Sequence, residues 1–177
     1  MYFGKLLDWP SSKILKRTIL LAIILLVIIY PIMTYFFMIS SFPVGFFQSQ
    51  LSFSGEILKS YYGITNINLY LIGQLLDYGF MLGYGVIFFS LSLLIARRFD
   101  KASRINRIGL ISALLGILAA LFDASENFFI LITLTDPSGF PNIIAIIHSF
   151  FALFKYICFI IVLGYIIIAT IVWLIKK

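Results

Sequence analysis

IGLISALLGILAALFDASENFFILITL, residues 108–134, decides the fold. Only Asp123 and Glu126 carry charge in it, and it exceeds the roughly 20 residues that cross a hydrocarbon core of about 30 Å. It reads as a membrane-spanning helix. On that helix Gly109, Ser112, Gly116, Ala119/Ala120, Asp123 and Glu126/Asn127 form one stripe, small residues first and polar residues after. Small residues let helix backbones approach closely where lipid removes the hydrophobic drive between helices. The stripe is therefore expected to face the centre of a bundle.

Three further apolar runs lie outward from it, at 18–40, 69–96 and 142–175, each also long enough to span. The last three of the four are longer than needed and are expected to tilt or to project beyond the bilayer. Composition agrees: the chain is 62% hydrophobic and 11% charged, with a mean hydropathy of +1.11. Soluble chains average about 45–50% apolar and about 25% charged, so the solvent for most of this chain is lipid. The expected fold class is all-α: a polytopic four-transmembrane-helix bundle forming a single transmembrane domain over 1–177. The first run resembles a secretory signal only superficially. It is too long for one and ends in bulky Tyr35-Phe36-Phe37-Met38, so it reads as a retained helix with an expected kink at Pro31.

Topology is read from the basic residues. All except Lys59 and Lys155 lie before the first run, between the second and third (Arg97, Arg98, Lys101, Arg104, Arg107), or at Lys176 and Lys177. Positive residues stay cytoplasmic, which predicts a multi-pass protein of the cell membrane with both termini inside. The outer side then carries a short turn, 135–141, and a long connection, about 41–68, rich in Phe and Tyr. That connection reads as an outer interfacial segment with an amphipathic helix near 54–62, either a passive anchor or a lid. Tyr2, Phe3, Leu6, Leu7 and Trp9 with Lys5 read as an anchor at the inner face, ended by Pro10. The net charge of +6 does not imply nucleic acid, because the basic residues flank apolar spans.

The candidate site is a layer of charge. Counted from the cytoplasmic ends at about 1.5 Å per residue, Asp77 lies some 30 Å in, Asp123 24 Å, Glu126 28 Å and Lys155 31 Å. Three helices contribute to this one depth. Gln74, Asp77 and Tyr84 share a face of the second, and His148 and Lys155 share a face of the fourth. Ionisable groups in hydrocarbon cost roughly 2.5–3.5 kcal/mol each on insertion scales, and by default they mark a functional site. The expected pocket is therefore Gln74, Asp77, Tyr84, Asp123, Glu126, Asn127, His148 and Lys155. Tyr84 and Gln74 are expected as hydrogen-bond partners, and His148 as a solvated or interfacial group before a proton relay. The competing structural reading is a buried ion pair, Lys155 with Glu126 or Asp123, that fixes helix order. Yet three acids meet one lysine, and the surplus calls for protons, a cation or water. One His and one Cys give no metal-ligand spacing, and no phosphate loop occurs, so neither metal nor cofactor is expected. Cys158 reads as a small buried hydrophobe.

The run Leu121-Phe122-Asp123-Ala124-Ser125-Glu126-Asn127 carries an Asp-x-x-Glu-Asn signature. With Asp77-Tyr78-Gly79-Phe80 and Tyr84 on the second span and Phe154-Lys155-Tyr156 on the fourth, it resembles small, largely uncharacterised four-helix integral membrane proteins of bacteria and archaea. The resemblance covers the last three helices and implies no reaction. Sterol-isomerase-like membrane proteins also place acids in a helical bundle, but their His and Trp pattern is not matched. Three functional readings follow. In the first, a pocket near the outer leaflet binds a lipid-like or small polar ligand, such as an isoprenoid. Lys155 would hold an anionic group and the acids protons or a cation; an enzymatic form would use Asp123 or Glu126 as proton donor or acceptor. The second is a structural or assembly subunit whose charges pair with a membrane-protein partner. The third is a proton- or cation-coupled transport element. The first helix and the cytoplasmic halves of the others argue against it, since they carry almost no polar residues and only Ser90, Ser92 and Ser112 are near.

Overall fold

The computed structural model describes residues 4–176. Tyr2 and Phe3 of the expected inner anchor, and Lys177, lie outside the described residues. The helices are α1 (Gly4–Asp8), α2 (Ser12–Ile39), α3 (Phe46–Gln50), α4 (Gly55–Tyr62), α5 (Ile67–Ala96), α6 (Arg104–Thr135) and α7 (Asn142–Ile175). Of these α2, α5, α6 and α7 are long and apolar enough to cross a membrane. The chain is an integral membrane protein built as an all-α bundle.

Two of the long helices begin well before their apolar runs. α2 starts at Ser12 and not Thr18, and α6 at Arg104 and not Ile108. Hydropathy marks the part that lipid surrounds, whereas the helix start is set by a cap that accepts an otherwise orphaned amide. Ser11 Oγ takes the Ile14 amide, and Ser103 Oγ takes the Asn106 amide. Asn66 does the same for α5 through the Leu69 amide. α2 runs on through Pro31, and the Thr34 hydroxyl donates to the carbonyls of Tyr30 and Pro31 at 2.8 and 3.0 Å.

The four long helices run up and down. α2 packs on α5, α5 on α6, and α6 on α7; α5 touches α7 more lightly, and α2 and α7 have almost no contact with one another. A gap therefore remains between α2 and α7, floored by α5. The bundle is turned inside out relative to a soluble protein. Leu20, Leu21, Val27, Ile160, Ile168 and Ile175 are exposed, while Gln74, Ser92, Ser112, Glu126, Asn127 and Lys155 are buried. Lipid solvates the first set but cannot solvate the second. The small stripe of α6 does face the centre: Gly109, Ser112, Gly116, Ala119, Asp123, Glu126 and Asn127 are all buried. At Gly116 a Cβ would lie 2.6 Å from Phe88 Cβ and 3.1 Å from the Phe89 nitrogen. Backbone cannot yield as a side chain can, so the α5–α6 approach requires glycine there.

The end of the bundle that carries residues 97–107 is basic. Arg97 does more there than add charge. Its guanidinium donates to the Leu6 carbonyl at 2.8 and 3.3 Å and to the Pro10 carbonyl at 2.7 Å. It thereby holds α1, whose Leu6 and Leu7 pack against Leu15, Leu93, Ala96 and Leu110. Arg98 lies over the Trp173 ring, 5.0 Å from its centroid. The Lys101–Asp8 pair at 3.1 Å is exposed on both sides and, like most surface pairs, contributes at most about 1 kcal/mol.

At the far end, residues 40–66 fold over the bundle. The helix expected near 54–62 is α4, and a shorter α3 precedes it. The Asn66 amide donates to the Ser40 carbonyl at 2.8 Å, closing the segment at its base. The Gly55 amide reaches Asn142 Oδ1 at 2.6 Å, and the Phe53 amide reaches Ser149 Oγ at 3.1 Å. Phe42 stacks on Tyr70 with ring centroids 4.5 Å apart. The Tyr62 hydroxyl, 3.0 Å from Thr133 Oγ1, is pushed up to about 12 by burial. The aromatic composition of this segment thus reflects packing onto the helix ends.

Candidate functional site

Asp123 and Glu126 lie three residues apart and so share one face of α6. Lys155 reaches them from the adjacent α7. Its Nζ donates to Asp123 Oδ1 at 2.8 Å and to Glu126 Oε2 at 2.5 Å. All three are buried, with Lys155 4% exposed and Glu126 1%. Tyr84 of α5 donates to Asp123 Oδ2 at 2.8 Å, and Asn127 Nδ2 donates to the Gln74 backbone carbonyl at 2.7 Å. The network therefore ties α5, α6 and α7 together at one level.

Two members were not expected from the sequence. Gln50, the last residue of α3, places Oε1 3.2 Å from Lys155 Nζ, and Tyr156 Oη donates to the same oxygen at 2.5 Å. Hence the far-end segment supplies a side chain to the charged layer. The only trace in the sequence is a glutamine pair, Gln48 and Gln50, in an otherwise aromatic stretch. Nothing in that pattern tells which amide turns inward.

Asp77 joins the layer differently. It makes no hydrogen bond or ion pair among the described residues. Instead it lines a cleft of about 150 Å³ with Gln50, Asp123, Lys155 and Tyr156, walled by Met33, Phe46, Phe80 and Phe159. These residues come from α2, α3, α5, α6 and α7, so the cleft is the far-end part of the gap between α2 and α7. A larger groove, about 340 Å³, lies where α5 meets α6, but its lining is apolar, from Met81 and Leu82 to Leu121. Apolar grooves are ordinary on a lipid-facing surface; the ionisable groups single out the smaller cleft.

His148 differs from its expectation. It is 1% exposed and so neither solvated nor interfacial. The first turns of α7 are covered by the far-end segment, as the Phe53–Ser149 bond shows. Both His148 ring nitrogens lack a protein hydrogen-bond partner, as do Glu126 Oε1 and Asn127 Oδ1. Of the residues expected in the pocket, Asp77, Asp123 and Lys155 line the charged cleft, and Gln74, Tyr84, Glu126, Asn127 and His148 do not. Among the described residues no group of three or more His, Cys, Asp or Glu is arranged to hold a metal ion. Cys158 is buried and unpaired.

Comparison with protein-family models, with curated proteins and with solved structures finds no match. The resemblance carried by the Asp-x-x-Glu-Asn run therefore assigns no family. What stands is four long apolar helices packed as a bundle around buried charge.

Proposed function

We propose that this protein is a multi-pass protein of the cell membrane whose charged cleft, near the outer leaflet, binds a small ligand with a polar head and a lipid-like body. One observation carries the reading: the cleft stays open beside five polar side chains, Gln50, Asp77, Asp123, Lys155 and Tyr156. A network whose sole task is to fix helix order gains from closing around its charges, because each exposed edge leaves polarity facing hydrocarbon. Here Phe and Met wall the space and leave it unfilled. The basic end is the cytoplasmic one, from the charge asymmetry, which puts the cleft toward the outside.

The structural reading keeps one specific support: the Lys155 pairs join α6 to α7, neighbours that need a fixed register. The two readings separate on a cavity-filling variant. Phe159→Trp enlarges a wall without touching a charged group. Native mass spectrometry of the full chain in mild detergent with added membrane lipid extract is expected to show bound amphiphile on the wild type and its loss on Phe159→Trp, both remaining folded. Equal adducts on the two proteins, or none on either, would leave the network a structural one.

A further inference from the structure

We infer that the group recognised in this cleft is an organic ammonium, the head of an amine-bearing amphiphile, seated against Asp77 between aromatic rings. The inference rests on the reading of the cleft as a binding site and adds the chemistry of its ligand.

The first step is a donor count on Lys155. An ammonium has three N–H donors and no acceptor. Asp123 Oδ1, Glu126 Oε2 and Gln50 Oε1 take all three, at 2.8, 2.5 and 3.2 Å. No donor is left for a phosphate or carboxylate in the cleft. The expectation that Lys155 holds an anionic group therefore fails on geometry. An anion would also meet Asp77 and Asp123 in the same walls.

The second step is a charge count. Three carboxylates share the layer with one ammonium. Lys155 contacts two of them, and Asp77 has no partner among the described residues. Glu126 Oε1, fully buried, has none either. Buried carboxylates are normally paired or metal-bound. A metal ion lacks its donor set here. What the cleft offers beyond carboxylate is aromatic rings in its walls: Phe46, Phe80, Tyr156 and Phe159. Aromatic faces around a carboxylate suit an organic cation, by cation–π attraction that strengthens when water is excluded. The protein already uses this contact next door, where Lys155 Nζ stands 5.0 Å from the Tyr156 ring centroid.

Size completes the argument. Sites for whole drug-sized ligands run to about 300–1,000 Å³. At about 150 Å³ the cleft takes a head group only. The rest of the molecule must leave along the gap between α2 and α7, helices whose large exposed side chains are mostly aliphatic, such as Val27, Ile28, Ile160 and Leu163. An amphiphile fits that path, and a fully polar amine does not.

The test uses three probes with one tail: dodecyltrimethylammonium, dodecanol and monododecyl phosphate. Each is titrated into the purified full chain in nonionic detergent, and binding is read by calorimetry. The ammonium is expected to bind at least about tenfold more tightly than the other two. Asp77→Asn, which leaves the Lys155 contacts in place, should abolish most of that preference. Phe80→Leu should weaken the ammonium and leave dodecanol unchanged, and it stands in if Asp77→Asn does not fold. Dodecanol or the phosphate binding as tightly as the ammonium would overturn the ammonium inference while keeping the cleft as a binding site. Failure of all three probes, or binding untouched by Phe159→Trp, would overturn the binding site itself and the inference with it.

Discussion

Removing the Lys155 ammonium leaves Asp123 and Glu126 buried close together with no cation between them. Breaking a buried ion pair from one side typically costs about 3–5 kcal/mol, because the survivor stays buried without compensation. Lys155→Met is therefore expected to lower the stability of the bundle by about that amount, measured by thermal unfolding in detergent. Asp123 keeps the Tyr84 hydroxyl at 2.8 Å, so Glu126 is the acid left worse off. The double variant Lys155→Met/Glu126→Leu should recover most of the loss. A single variant as stable as the wild type would mean that the three groups are not coupled as their distances imply. The same residues show what a sequence yields at this scale. Asp123, Glu126 and Lys155 stand out because charge inside an apolar run is costly wherever it occurs, and helical spacing then gives the face. Gln50 and Tyr156 do not stand out. An amide or phenol in an aromatic stretch is tolerated at an interface as well as in a core, so its direction depends on tertiary packing.

At the scale of elements, the four long helices were legible because each must supply its own apolar length. Their connections were legible only in outline. The connection over about 41–68 reads in the sequence as an outer interfacial segment; what the sequence does not indicate is that α3 and α4 lie across the far end of the bundle and deliver Gln50 to Lys155. Four hydrogen bonds to α7 hold them: Gly55 to Asn142, Phe53 to Ser149, and Gln50 to both Lys155 and Tyr156. Phe53 has a φ of 51°, in the left-handed region that a bulky residue rarely adopts. The turn between α3 and α4 is thus held by tertiary contacts against its local preference. A net contribution of about 1 kcal/mol per hydrogen bond makes these latches small beside the bundle, yet large for a local opening. In Asn142→Ala/Ser149→Ala the amides of residues 46–62 are expected to exchange with deuterium roughly tenfold or more faster, with the melting temperature nearly unchanged. Unchanged exchange would show that the Gln50 and Tyr62 hydrogen bonds and aromatic packing, such as Phe42 on Tyr70, hold the segment without these two bonds.

Orientation belongs to the whole molecule, because no single contact sets it. α2, α5, α6 and α7 alternate in direction, so fixing one end fixes the other. Among the described residues the basic end gathers Lys5, Lys13, Lys16, Arg17, Arg97, Arg98, Lys101, Arg104, Arg107 and Lys176, while the far end has Lys59 alone. In the proposed orientation an asymmetry of that size puts the basic end in the cytoplasm, since Lys and Arg near span ends resist translocation. Arg97 adds a structural consequence: it clamps α1 beneath the bundle, so α1 must lie on the same side. Ala102 and Ile64 are exposed in loops at opposite ends, and Cys158 is buried. In a Cys158→Ala background, Ala102→Cys is expected to resist a membrane-impermeant maleimide added to intact cells, and Ile64→Cys to react. Both should react after the membrane is opened. The reverse pattern in intact cells would invert the protein and turn the cleft toward the cytoplasmic leaflet. Its ligand would then be drawn from inside the cell, although every distance in the charged layer would stay the same.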